Sequence, residues 1–524
     1  MRKLVTARQA VERIGDRQTV WLVSGGGGIN EPSCLLKALE TRFLETGHPN
    51  NLTLCHSAGI GDKQGGGVDR FAHEGMVRKV IGSHWVWSPA MQQLAHDEKI
   101  EAYVLPQGTM TQMTREIAGG RPGVFTKVGL GTFVDPRVEG GAMNACSRER
   151  LTEIVNIGDE EYLLFRSFPI HVSLIRATTA DEDGNLTFEH EGMIPEVLSA
   201  AQAARNTGGM VIAQVQRIVR RGSLKPMDIR VPGILVDSVI VDPSQRMSLI
   251  TDYDPSLSGE CRALLEDALP PMPLNERKVI ARRAALEIGK GNIVNLGFGM
   301  PAGVASVMHE EGMDNYMTLS VEQGITGGIP SSGSNFGLVY NPEVIVDAPY
   351  QFDWYDGGGL DVAILSFAEF DRHGNVNVSK FGDRVKGVGG FINISQAAKK
   401  VVFVGTMKAG GFEMQYQDGK CRIVREGRVQ KAVEDVAQIS FSGELACKKG
   451  QKVLFITERA VFELTPEGMI LTEIAEGMDL DRDVLGQMGF APIVSNNLAI
   501  MPAYLFREKK MEMHSMCGVS FPED

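Results

Sequence analysis

Glu322 stands where an apolar run gives way to a glycine-rich turn, in SVEQGITGGIP at 320–330. Taken alone, a glutamate is usually a surface or cap residue. Here the preceding run, YMTLSV, has the composition of a strand, and a strand end fixes a side chain rigidly. The residues that follow, QGITGGIPSSGSNFG, are too small to cover it, so the carboxylate is presented to a pocket. Gln107, in LPQGT at 105–109, also follows a short apolar run and precedes a glycine. Its amide is a neutral two-hydrogen donor, suited to an oxyanion that forms and vanishes; a turn glutamine is the plain alternative. Two glycine segments complete the set. GFGMPA at 297–302 matches G-x-G-x-x-A, a strand-to-helix turn that offers backbone N–H groups and a helix N-terminus to a diphosphate. Pro301 sits where a helix start tolerates proline. GVGG at 387–390 precedes a helical stretch and lets backbone approach a ligand closely, or is simply a turn.

The elements that must hold these residues occur twice. DRQTVWLVSGGGGINEPSCLLKALETRF reads strand, glycine turn, helix, and so does KGNIVNLGFGMPAGVASVMHEEG. A helical stretch precedes each, TARQAVERIG and ERKVIARRAALEIG. Each half then carries a hairpin-like signal with a Gly-Asn turn, Gly184-Asn185 and Gly374-Asn375. The first glycine turn departs from the G-x-G-x-x-A template because Glu31 occupies its last small position. Shared order predicts two related α/β domains fused in one chain, 1–242 and 279–524, joined by a proline-containing linker over 243–278. Strands such as VAILSF (362–367) and VVFVG (401–405) lack polar alternation, which predicts open, mostly parallel sheets flanked by helices. Sites in such sheets lie beyond the carboxyl ends of the strands. Extra material in the first half, around 64–89 and 105–136, is expected to form loops or a subdomain over the site.

Composition narrows the function. The formal net charge of −12 argues against a nucleic-acid partner and against docking on anionic membrane. The seven cysteines, Cys34, Cys55, Cys146, Cys261, Cys421, Cys447 and Cys517, form no CxxC pair and fit a reducing compartment. The N-terminal stretch lacks an apolar signal region and no run is long enough to span a membrane, so a cytoplasmic protein is expected. Two HEGM copies, His73–Met76 and His190–Met193, lack HExxH spacing and read as surface turns rather than metal sites. Neither GxSxG nor GxxxxGK[ST] is present.

Together and in this order, the duplicated glycine turn, LPQGT, SVEQGITGG and KGVGGFINI resemble the family I coenzyme A transferases, in particular the single-chain acetate/propionate type, over nearly the whole chain. Two departures stand out. Val321-Glu322-Gln323-Gly324 replaces the Ser-Glu-Asn-Gly better known at the active carboxylate, and GGGGINEP replaces a first signature that ends in G-x-P. The resemblance implies that Glu322 is a covalent nucleophile on an acyl-CoA thioester, in a ping-pong reaction through an acyl-glutamyl anhydride and a glutamyl-CoA thioester. It implies that Gln107 and a backbone N–H of Gly389 or Gly390 hold the oxyanion. It makes Gly297, Phe298, Gly299, Met300 and Pro301, with Gly387, the coenzyme A contacts. Gln107 is then expected from one domain and Glu322 from the other. No metal or redox cofactor is required; coenzyme A is substrate and transient passenger. Short-chain carboxylates such as acetate, propionate or butyrate are the expected acids, and a homodimer or homotetramer the expected assembly. Two other readings compete: a nucleotide-dependent oxidoreductase built on GFGMPA, and a noncatalytic α/β binding protein.

Overall fold

The computed structural model describes residues 3–264, 271–331, 333–382 and 384–516. Cys517 and residues 265–270 of the expected linker lie outside the described residues. The chain packs into two compact units. The first comprises Met1–Ala263, Val321–Asp356 and Ser379–Asn393; the second comprises Leu264–Ser320, Gly357–Val378 and Ile394–Asp524. This differs from the division expected at 243–278. Two segments of the second half pack with the first, and one of them carries Glu322. The expectation that Gln107 and Glu322 come from different domains is therefore corrected: both belong to the first unit. The physical reason is burial. Val321, Ile325, Leu338 and Val339 close an apolar cluster with Ile29, Met193, Met247 and Leu257, each fully buried aliphatic side chain contributing roughly 1.5–3 kcal/mol. Met247 and Leu257 lie in the stretch expected to be linker, so that stretch is partly core.

The first unit is built on a parallel sheet in the order Ser238–Val241, Met210–Val219, Val172–Asp181, Thr19–Leu22, Leu52–His56, Val77–Gly82, Glu101–Val104. Every residue of Val172–Asp181 is buried, as a strand covered on both faces must be. The first helix, Ala7–Val11, starts at Thr6, whose hydroxyl accepts from the Gln9 N–H. Within the stretch over 64–89 expected as loops or a subdomain, Val77–Gly82 belongs to the main sheet, beside Glu101–Val104, because Val77, Val80 and Ile81 have a core face to occupy. Farther on, Gly123–Thr126, Thr152–Ile157 and Glu160–Arg166 form a small antiparallel sheet.

The second unit repeats the plan. Its sheet runs Thr318–Val321, Ile293–Leu296, Val362–Ser366, Lys400–Val404, Lys452–Ile456, all parallel, and continues through Ala460–Thr465, Gly468–Ile474 and Ile493–Ile500. Reading from the strand before each glycine turn, the neighbours fall in the same order in both units. The Gly-Asn turns are also built alike. Asp181 Oδ1 accepts from the N–H groups of Asp183 and Asn185 while its Oδ2 accepts from Asn185 Nδ2. Asp371 does the same with His373 and Asn375. Each asparagine Oδ1 then accepts from a glycine N–H, Gly233 in one unit and Gly443 in the other.

Candidate active site

Glu322 occupies the second position of a tight turn. The Gly324 N–H donates to the Val321 carbonyl at 3.0 Å, so Glu322 and Gln323 are the two central residues. The glycine is required: Gly324 has φ +96°, and a Cβ there would lie 2.0 Å from the Val346 carbonyl oxygen. That close approach lets the Gly324 carbonyl accept from the Val346 N–H at 2.8 Å. On either side of the turn Val321 and Ile325 are buried in the apolar cluster, so the turn has no freedom to swing. Glu322 is 8% exposed and Gln323 6%. Gln323 Nε2 reaches Glu322 Oε1 at 3.5 Å, and Gln323 Oε1 is buried without a partner. A carboxylate this buried has given up most of its hydration and depends on fixed protein dipoles in its place.

Gln107 opens the helix Gln107–Ala118, after Pro106 at the end of the strand Glu101–Val104. Its N–H donates to the Gly389 carbonyl at 2.9 Å, and its Oε1 lies 3.5 Å from where a Gly389 Cβ would be. The next residue is pinned as well. The Gly108 N–H donates to Asn393 Oδ1 at 3.1 Å, and a Cβ on Gly108 would meet Phe352 and Asn393 at 2.4 and 2.5 Å. Asn393 Nδ2 in turn donates to Asp356 at 2.9 and 3.2 Å, and Gln112 Nε2 donates to the same carboxyl at 2.8 Å. Burial raises the Asp356 carboxyl to about 6, against the lowering effect of its Asn393 and Gln112 bonds.

The GVGG segment docks on the end of the strand Val77–Gly82. Ser83 O accepts from the N–H groups of Val388 and Gly389 at 2.7 and 3.0 Å, and the Trp85 N–H donates to the Lys386 carbonyl at 2.8 Å. Gly387 has φ +80°, and a Cβ there would lie 2.4 Å from Ser83 O. The Gly389 N–H is thus already used. The Gly390 N–H has no backbone partner among the described residues, and Gly390 is buried. Gln107, Gly387, Gly389 and Gly390 are therefore brought together, and Gln107 and Gln323 line one narrow pocket with Ser57 and Glu196.

Gly297–Pro301 lies in the second unit. The Gly297 N–H donates to the Ile364 carbonyl, and Ser366 Oγ donates to the Phe298 carbonyl at 3.0 Å. Gly299 has φ +86° with open space where a Cβ would go, and Phe298 is half exposed. The helix Ala302–Glu310 follows without a side-chain cap, leaving a strand-to-helix turn of the expected kind.

Several residues at the site carried no sequence signal that reasoning used. Asn393 and Asp356 have no diagnostic spacing. His190–Met193 reads as a surface turn, yet Met193 is 2% exposed and lines the pocket; Glu196, three residues farther on and 1% exposed, lines it too.

Two units of one strand order, with a buried glutamate on a glycine-closed turn among amide groups, are the architecture of a coenzyme A transferase. Residues 4–242 match the family model described as coenzyme A transferase, and the chain belongs to that family. It is 47% identical to the caffeate CoA-transferase of Acetobacterium woodii, covering 99% of this chain and 100% of that one. It is 43% identical to the acetate CoA-transferase YdiF of Escherichia coli strain K12, covering 97% and 96%. The YdiF acyl-CoA transferase of E. coli O157:H7, solved as a thioester complex with CoA, superposes with a TM-score of 0.93 at 42% identity over 97% of both chains. The chain is accordingly an enzyme that moves coenzyme A between an acyl-CoA and a carboxylate, with coenzyme A as substrate. The oxidoreductase and noncatalytic readings are set aside. Among the described residues, no helix is long and apolar enough to cross a membrane.

Proposed function

We propose that the enzyme transfers coenzyme A between short-chain acids by a ping-pong reaction on Glu322. The Glu322 carboxylate attacks the acyl-CoA carbonyl, forming an acyl-glutamyl anhydride and releasing CoA thiolate. The thiolate attacks the glutamyl carbonyl, freeing the first acid as its carboxylate and leaving a glutamyl-CoA thioester. A second carboxylate attacks that thioester, forming a new anhydride and thiolate. The thiolate then takes the new acyl group and restores the Glu322 carboxylate. Thioester energy is kept throughout.

The observation that carries this reading is the Glu322 turn: a carboxylate 8% exposed, clamped by Gly324 and by buried Val321 and Ile325. Each tetrahedral intermediate needs donors for its oxyanion. We assign these to the Gln107 side-chain amide and a GVGG amide, Gly389 or Gly390; of the two, the Gly390 N–H has no backbone partner among the described residues. Coenzyme A contacts are assigned to Gly297, Phe298, Gly299, Met300 and Pro301, with Gly387. The thioester complex of YdiF supports the glutamyl-CoA step. The narrow pocket beside Gln107 and the relative named acetate CoA-transferase favour short acids; the caffeate CoA-transferase relative makes an aromatic acid the second reading. A homodimer or homotetramer is assigned on the family resemblance.

The test is direct. Incubation with acetyl-CoA should add the mass of coenzyme A to the peptide containing Glu322, and borohydride should inactivate only after that exposure. An active enzyme that never carries the adduct on Glu322 would overturn the proposal.

A further inference from the structure

Lys431 is a half-buried amine with no acid to match it. Its Nζ lies 4.2 Å from the centre of the Phe367 ring, and a Cβ on Gly405 would come within 2.8 Å of it. Phe367 and Gly405 directly follow the parallel strands Val362–Ser366 and Lys400–Val404. The amine therefore stands beyond the carboxyl ends of the second unit's sheet, where open α/β sheets bind their ligands. Among the described residues Nζ has neither a hydrogen-bond acceptor nor an ion-pair partner. The carboxylate that acts on it, Glu458, is already committed: Oε1 accepts from Arg459 Nε at 2.5 Å and Oε2 from the Met407 N–H at 2.9 Å. Lys278 and Lys400, also withdrawn from water in this unit, are matched differently, with Glu310 at 2.7 Å and Glu287 at 2.9 Å. An amine taken from water without a counter-charge is costly to keep charged, and burial lowers Lys431 to about 8 against the pull of Glu458.

The turn Gly297–Pro301 ends a neighbouring strand of the same sheet. Ile293–Leu296, which leads into it, pairs with Val362–Ser366. The Gly297 N–H donates to the Ile364 carbonyl, and Ser366 Oγ donates to the Phe298 carbonyl at 3.0 Å. Ser366 is next in the chain to Phe367, over whose ring the Lys431 amine sits, so one strand end links the turn to the amine. The N–H groups of Gly299 and Met300 have no backbone acceptor among the described residues, and the helix Ala302–Glu310 begins directly after the turn. Backbone donors at a helix start, with an ammonium close by, complement a group that carries negative charge and several acceptor oxygens. In a chain of net charge −12, an anionic substrate needs such local positive charge.

We propose that Lys431 is a coenzyme-binding residue whose ammonium pairs with the diphosphate of coenzyme A. This rests on the assignment of Gly297–Pro301 to coenzyme A given above. The diphosphate supplies the counter-charge that the fold withholds from the amine. The contact therefore selects coenzyme A thioesters over thioesters of pantetheine, which carry no phosphate.

The experiment measures kcat/KM with propionate as acceptor and acetyl-CoA, acetyl-dephospho-CoA or acetylpantetheine as donor. Lys431→Met keeps an unbranched chain over Phe367 and removes the charge. It should lower the ratio of acetyl-CoA to acetylpantetheine by about 10-fold or more, the size expected for a hydrogen bond to a charged group. The ratio of acetyl-dephospho-CoA to acetylpantetheine should fall by the same factor, because that donor keeps the diphosphate and lacks only the 3′-phosphate. A smaller fall overturns the proposal, as does a fall confined to acetyl-CoA. A second measurement needs no variant. Reductive methylation of Lys431 in the wild-type enzyme, read by mass spectrometry, should be slowed by saturating coenzyme A and by inorganic pyrophosphate, and not by pantetheine. Any other pattern overturns the proposal. Gly299→Val, which strains the turn at φ +86°, separates the two readings. A ratio that falls in Gly299→Val and holds in Lys431→Met overturns Lys431 alone, whereas a ratio that holds in both overturns the assignment of the turn as well.

Discussion

Replacing Asn393 by leucine should damage turnover through a residue that does not touch substrate. The change keeps side-chain volume and removes two bonds: the acceptor for the Gly108 N–H and the donor to Asp356. A buried N–H left unsatisfied costs about 1–3 kcal/mol. Gln107 then keeps the tether of its own N–H to the Gly389 carbonyl but loses the support of the pinned Gly108. A donor displaced by about 1 Å is expected to lose about 10²-fold in rate, so kcat should fall about 10–100-fold while KM for acyl-CoA changes less than about threefold. The loss of folding stability should also depend on pH. Asp356 ionises at about 6 because burial outweighs its Asn393 and Gln112 bonds. Its raised value means the folded state holds the proton more tightly than the unfolded chain, so ionising Asp356 above about pH 6 destabilises the fold. The bond from Asn393 offsets part of that. At pH 5 Asp356 is protonated with or without Asn393; at pH 8 it is ionised and the missing donor is felt. The urea midpoint should therefore drop more at pH 8 than at pH 5. The assay is coenzyme A transfer from acetyl-CoA to propionate at steady state, alongside urea titrations at both pH values. An unchanged kcat with a lowered midpoint would refute the claim that Asn393 positions Gln107. Equal midpoint losses at the two pH values would refute the coupling to Asp356.

Other expectations follow from the same geometry. Glu322→Ala should abolish both transfer and the coenzyme A adduct seen by mass spectrometry. Gln107→Ala, which removes a proposed oxyanion donor, should lower kcat about 10²–10³-fold with the affinity for acyl-CoA, measured by calorimetry, largely kept. Gly324→Ala forces a Cβ to within 2.0 Å of the Val346 carbonyl; the turn must open, and the rate of adduct formation from acetyl-CoA should fall at least 10-fold. His56 is 2% exposed, bonds the Ala58 carbonyl through Nδ1 and is lowered to about 4 by burial. The unfolded chain protonates it near 6.5 and the fold only near 4, so its contribution is full above pH 6.5 and is lost as pH falls toward 4. Wild-type stability should drop by about 2 kcal/mol more than that of His56→Gln between pH 7.5 and pH 5 in urea titrations.

Much of the fold was legible because local chemistry repeats. The Asp-x-x-Gly-Asn turns at 181–185 and 371–375 carry the same three bonds to one aspartate, so composition alone marked equivalent places in two sheets. Glu322 was legible for a related reason: a strand followed by Gly324 means a turn that backbone must approach closely, and only the residues before the glycine can face a site. The allocation of segments to units was not legible. Val321–Asp356 joins the first unit through Val321, Ile325, Leu338 and Val339 meeting Ile29, Met193 and Leu257, contacts far apart in sequence that leave no periodic trace. Asn393 was invisible for the same reason; its partners are Gly108 and Asp356, 285 and 37 residues away.

The repeat also relates Glu196, which the sequence left unmarked, to the GVGG segment, which it marked. In each half the Gly-Asn turn is followed by a loop, a helix and then the next parallel strand. In the first half the loop ends at Glu196 and the helix is Val197–Asn206. In the second it ends at Gly390 and the helix is Phe391–Ala397. These are equivalent positions in one element order, and the two carry opposite chemistry. One loop keeps a long side chain, so that a carboxyl reaches the pocket lined by Gln107. The other lacks side chains at two positions: Gly387 and Gly389 hold φ of +80° and +54°, and the bare backbone sits against Ser83 and Gln107. Backbone that approaches Ser83 O this closely leaves no room for a Cβ, whereas a side chain has to be long to reach the pocket from the other loop. Two domains of one element order thus place opposite residue types at the same point of the fold, which is why the glycines were conspicuous in the sequence and the glutamate was not.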